Sequence, residues 1–110
     1  MVQSTEFLLK VGYKMMSIII KEVQLKRFER PFVIKAIPYS QFYKIYKKHC
    51  GFLPSILVTN DSLQNVMNEF LFTCLVYPKF ESVSEMLQTL LPGEYAELCK
   101  QVQSINGYEI

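Results

Sequence analysis

The feature that most constrains this chain is the recurrence of apolar residues at three- and four-residue steps through its second half. Leu63, Val66, Met67, Phe70, Leu71, Cys74 and Leu75 fall on one face of a helix that begins near Asn60 or Asp61, both good N-caps, and runs to Pro78. Ser82 with Glu85 three residues later has the spacing of a capping box, and Val83, Met86, Leu87, Leu90 and Leu91 follow on one stripe. Pro92-Gly93 breaks that helix and opens another, with Tyr95, Leu98, Cys99, Val102 and Ile105 on its apolar side and Asn106-Gly107 as its stop. A helix carrying such a stripe has to bury it against another element, so these segments require a shared core.

The first half reads differently. Ile18, Ile19 and Ile20 are β-branched, and Val23 and Leu25 then alternate with Glu22, Gln24 and Lys26, which predicts a strand. The charged segment 26–31 suits a turn, and Phe32 to Ile37 is a second strand ended by Pro38. Phe42, Ile45, Tyr46 and His49 form a further helical stripe with Ser40 as its cap and Gly51 as its left-handed stop. Residues 51–59 are a connector in which Ile56-Leu57-Val58 could be a brief third extended piece. Residues 1–16 are expected to be an N-terminal arm or a short helix through Phe7, Leu8 and Val11, stopped by Gly12. The expected fold is α+β, an N-terminal β-hairpin packed on about four α-helices, in a single domain over 17–110.

At 110 residues, 50% hydrophobic and 20% charged, the chain can build one core and lacks the composition of a disordered segment. No apolar run approaches the roughly 20 residues that span a bilayer, and the opening lacks the pattern of a signal peptide. Cys50, Cys74 and Cys99 are too few and too widely spaced for a disulfide framework or a zinc knuckle, so buried, reduced thiols are expected. The net charge of +2 hides an asymmetry. Residues 1–50 hold ten Lys/Arg and three Asp/Glu, a net +7, while residues 51–110 hold two and seven, a net −5. Such a split can steer an acidic partner or let chains dock head to tail.

Chemistry is thinly provided for. His49 is the sole histidine, and its neighbour Cys50 points elsewhere on a helix. Cys74 and Cys99 lie on stripes assigned to the core. Glu81/Glu85 and Glu94/Glu97 look like acids placed near helix N-termini rather than a catalytic pair. The glycines are scattered, so no phosphate loop exists. No catalytic, metal or cofactor site is expected, and the chain reads as a non-enzyme. Nucleic-acid binding is the rival from composition: Lys21, Lys26, Arg27, Arg30, Lys35, Lys44, Lys47 and Lys48 are interleaved with Phe28, Tyr39, Tyr43 and Tyr46. No recognised nucleic-acid signature accompanies them, and a solvated basic face or a protein-binding patch is the better explanation.

Several segments, in order, resemble XkdN-like phage tail assembly chaperones of the PBSX-type prophage. They are Ser4-Thr5-Glu6-Phe7-Leu8, Lys26-Arg27-Phe28 with Pro31 to Ile37, Cys74-Leu75-Val76-Tyr77-Pro78, Leu90-Leu91-Pro92-Gly93-Glu94-Tyr95, and the closing Val102 to Tyr108. The connectors after Gly51 and Pro78 look shorter than in that family, and the helix after Pro38 carries Tyr and Lys where relatives tend to be acidic. The resemblance implies a bacterial cytoplasmic helper that binds the tape-measure protein and helps recruit tail-tube subunits, then leaves before the virion is complete. The opposed charges of the two halves, apart from the resemblance, add self-association to the expected partners, and the lack of a long apolar run leaves a membrane out. A small nucleic-acid-binding module and a minor structural tail protein are the alternatives. The expected partner-binding residues are the basic turn of Lys26, Arg27, Phe28 and Arg30, with Tyr95 and Tyr108 at the edge of an apolar face. Leu87 and Leu91 either join that face or complete the core.

Overall fold

The alternation around the three isoleucines is realised as a long strand, β2 (Lys14–Val23), paired antiparallel with β3 (Phe32–Lys35) so that Ile20 lies opposite Lys35 and Val23 opposite Phe32. This is the hairpin expected from the period of two. The computed structural model describes residues 2–11, 14–51 and 57–108, with side chains described from Ile19 onward. Two further strands flank the hairpin, giving a four-stranded sheet in the order β1-β2-β3-β4.

The strand β1 (Val2–Val11) replaces the arm or short helix expected over residues 1–16, and it pairs with β2 along its whole length, from Val2↔Val23 to Val11↔Lys14. A helix of two or three turns without a packed face is marginal, whereas a ladder along β2 satisfies the same backbone groups. Gly12, expected as a helix stop, lies outside the described residues. The second addition, β4 (Leu75–Tyr77), takes the end of the helix predicted to reach Pro78. It pairs with β3, Val33 opposite Tyr77 and Ile34 opposite Leu75, with an irregularity between the two pairs. Pro78 disfavours the helical conformation at Tyr77, and β3 otherwise presents an unpaired edge, so pairing wins over helix continuation.

Helix α1 (Tyr39–Cys50) begins one residue before the expected cap. Pro38 occupies the N-cap, and Ser40 lies in the first turn without capping it. Gly51 closes α1 as expected, at φ 64° and ψ −141°, a positive-φ conformation that glycine tolerates but not the left-handed helical one its position predicted. Helix α2 (Asn60–Cys74) is capped by Thr59, whose Oγ1 accepts from the Ser62 amide at 3.1 Å, in place of Asn60 or Asp61. Leu57 and Val58 belong to no strand, and Ile56 lies outside the described residues. Helix α3 (Val83–Thr89) is capped by Ser82, whose Oγ accepts from the Glu85 amide at 3.1 Å; the Glu85 side chain does not return the bond, so half of the expected capping box forms. Helix α4 (Pro92–Ile105) opens on the proline and ends at Asn106.

Helices α2, α3 and α4 pack against the sheet. Val23, Phe32 and Ile34 from the strands meet Phe70, Leu71 and Cys74 of α2, Met86 of α3, and Leu98, Cys99 and Val102 of α4, all buried. A smaller cluster of Ile45, Cys50 and Val66 seats α1 on α2. Among the described residues no helix is long and apolar enough to cross a membrane.

Candidate partner-binding surface

The turn between β2 and β3 is built locally. The Phe28 amide donates to the Leu25 carbonyl at 3.1 Å, and Gln24 Nε2 reaches the Leu25 and Phe28 carbonyls at 3.0 and 2.8 Å. Phe28 is half-buried, edge-on to Phe32 with centroids 4.8 Å apart. Arg27 lies 4.5 Å above the Phe28 ring and forks onto Glu94, with Nε–Oε2 at 3.0 Å and Nη2–Oε1 at 2.7 Å. Its Nη2 also donates to the Thr89 carbonyl at 2.8 Å. Glu94 in turn accepts from the Leu91 amide at 2.8 Å, holding the first turn of α4. The Arg27 hydrogen bond draws the Glu94 carboxyl below its usual range against the cost of desolvation, and Glu94 raises Arg27 in return. Arg27 therefore bolts the turn to the α3–α4 junction. Arg30, by contrast, sits 4.3 Å over the Tyr77 ring, and no carboxylate among the described residues pairs with it. Arg27, Arg30 and the rings of Phe28, Tyr77 and Phe80 line a groove of about 420 Å³. Lys26 is exposed beside it in the chain.

A second groove, of about 410 Å³, lies on α2, α3 and α4, lined by Gln64, Asn68, Leu87, Leu90, Pro92 and Tyr95. A polar knot forms part of its wall. Tyr95 Oη donates to Asn68 Oδ1 at 2.6 Å, and Gln64 Nε2 reaches Asn68 Oδ1 at 3.0 Å and Tyr95 Oη at 2.9 Å. Asn68 is buried, and burial pushes the Tyr95 phenol up, so it stays a neutral donor. The two leucines open to either role resolve toward the surface, with Leu87 41% and Leu91 53% exposed. Met86 and Leu90 take the buried side of that stripe instead.

Tyr108 lies in neither place. It is half-exposed and lines an apolar groove of about 260 Å³ with Phe42, Tyr46, Leu63 and Met67. The six expected residues thus fall in three places: Lys26, Arg27, Phe28 and Arg30 at the turn, Tyr95 across the α3–α4 junction, and Tyr108 against α1 and α2. Glu94, Tyr77, Gln64 and Asn68 shape these places although none was among the expected partner-binding residues. Asn68 carried a signal, because a polar residue one turn after Gln64 and three before Leu71 sits in phase with the buried stripe.

The groups considered for chemistry are otherwise engaged. His49 Nε2 lies 2.7 Å from Glu69 Oε1, and Lys48 Nζ meets the same oxygen at 3.0 Å. Cys50, Cys74 and Cys99 are free and buried. Burial pushes the Cys74 thiol up to about 12, only partly opposed by the Asn106 amide, and raises Cys99 likewise. Such thiols are protonated and poor nucleophiles. Among the described residues no group of three or more His, Cys, Asp or Glu side chains could hold a metal.

No family model matches the chain, and no curated protein matches it. Among solved structures, the crystal structure of the protein YqbN, a structural-genomics target, is similar with a TM-score of 0.61. The identity is 22%, over 80% of this chain and 84% of that one. The likeness extends across most of both chains and concerns the fold.

Proposed function

We propose that this protein is a phage or prophage tail assembly chaperone. It acts in the host cytoplasm, performs no reaction, covers the tape-measure protein before the tail tube encloses it, and helps bring tube subunits to it. The observation that carries this reading is the exposed apolar rim of Leu87 and Leu91 beside the 410 Å³ groove over Leu90 and Tyr95. Amphipathic helices dock on such grooves through residues spaced at three and four. The ordered resemblance of residues 17–108 to XkdN-like chaperones supports the same reading. Nucleic-acid binding is less well supported, since Arg27 is saturated by Glu94 and Lys48 is paired with Glu69.

Co-expression with a long helical phage tape-measure protein is the test. The chaperone should raise the soluble fraction of that protein, and Leu87→Ser with Leu91→Ser should abolish the gain while leaving the chaperone folded. Unchanged solubility with the unaltered chaperone refutes the reading. Mass spectrometry of purified particles should find the protein absent; its retention would make it a structural subunit.

A further inference from the structure

Resting on that reading, we infer that the groove beneath the β2–β3 turn is a receptor for an acidic, amphipathic helix of the partner, with Arg30 receiving a carboxylate and the aromatic floor receiving its apolar neighbours.

The two arginines of this groove are in opposite states. Arg27 has spent its fork on both oxygens of Glu94 and on a backbone carbonyl. Arg30 is held over Tyr77 and makes no hydrogen bond or ion pair with any described residue, Glu29 included, although Glu29 also lines the groove. A guanidinium placed on a ring keeps its planar set of N–H donors for a carboxylate and loses less freedom on binding than a swinging lysine would. Beside it, the half-buried Phe28, Pro78 and Phe80 make a surface that a hydrated small anion would leave uncovered. One ligand satisfies both halves: a glutamate with leucine-like residues three and four positions away on the same helix. The basic balance of residues 1–50 favours approach of an acidic segment.

The experiment uses the full chain and two fluorescein-labelled helical peptides, one of Leu, Gln and Glu, the other with every Glu replaced by Lys. The acidic peptide should bind roughly tenfold or more tightly than its basic counterpart. Arg30→Glu should reverse that preference, and Phe80→Ala should weaken both peptides. Amide shifts on titration should centre on residues 27–32 and 77–80. Equal affinity for the two peptides, or an unchanged preference in Arg30→Glu with an unchanged Tm, overturns the inference. So does displacement of the acidic peptide by a single-stranded oligonucleotide at equal concentration. The outcome separates from the solubility test: acidic-peptide selectivity without tape-measure rescue leaves the groove and removes the chaperone, while rescue without selectivity moves docking to the Leu87–Leu91 rim.

Discussion

The two apolar clusters of this molecule hold their helices in different ways. The larger one joins β2 and β3 to α2, α3 and α4, and its central side chains, Ile34, Leu71, Met86, Leu98 and Val102, are wholly buried. The smaller one has Ile45, Cys50 and Val66 at its centre, ringed by the half-buried Phe42, Tyr46, Ile37 and Val58. Phe42 meets Phe70 edge-on at 4.9 Å and joins the two clusters. What α1 lacks in burial it supplements with Glu69, which gathers Lys48 and His49 from α1 onto α2. The outer face of α1 carries the paired rings of Tyr39 and Tyr43, 6.2 Å apart and exposed. The difference teaches that the sheet with α2–α4 is the folding body and α1 is an annex, so α1 should open first.

The sharpest way to break this comparison is to cut into each cluster. Leu71→Ala should cost about 3–4 kcal/mol in urea unfolding, because its surroundings are closed on every side. Ile45→Ala should cost about 2 kcal/mol, at the low end for its class, since half-open neighbours can settle into the space. Equal losses would erase the distinction between body and annex. Thiol trapping under native conditions sharpens it. Cys50 should be modified roughly tenfold faster than Cys74, because local opening of α1 exposes it while only global unfolding exposes Cys74.

A smaller effect is expected within the body. Tyr95→Phe removes the donor to buried Asn68 but leaves Gln64 in place, so the loss should be about 1 kcal/mol. A loss several times larger would mean that the knot organises the Leu87–Leu91 groove as well as bracing it. The smallest effect belongs to pH. Burial raises the Glu69 carboxyl, but hydrogen bonds from His49 and Lys48 more than offset it, and its net shift is downward. A group with a depressed folded pKa adds stability that is complete above its unfolded pKa and disappears as pH falls through the folded value. Acid titration of stability should therefore be slightly flatter in Glu69→Gln, with the difference confined to the acid side. Parallel curves for the two proteins would remove Glu69 from the account of α1.

The α-helical half was legible because its stripes, breakers and caps agree with one another, as at Ser82 with Glu85 and at Pro92-Gly93. The β2–β3 hairpin was legible from alternation around three isoleucines. Local signals misplaced the ends, naming Asn60 where Thr59 caps and Ser40 where Pro38 does, because neighbouring residues compete for one cap and packing selects among them. The basic turn was legible as a feature, but the division of labour between Arg27 and Arg30 was not. Arg27 finds Glu94 across 67 positions of sequence, and no local pattern announces such a pair.

The order of apolar and polar residues by itself determined where this chain makes helices, where it makes its central hairpin, and that these share one core, because periodicities of 3.6 and 2 are properties of the local backbone. Tertiary structure alone decided that Leu75–Tyr77 leaves its helix to pair with β3 and that Val2–Val11 joins β2 as a strand. In both places the chain tolerates either conformation locally, and an unpaired sheet edge tips the balance.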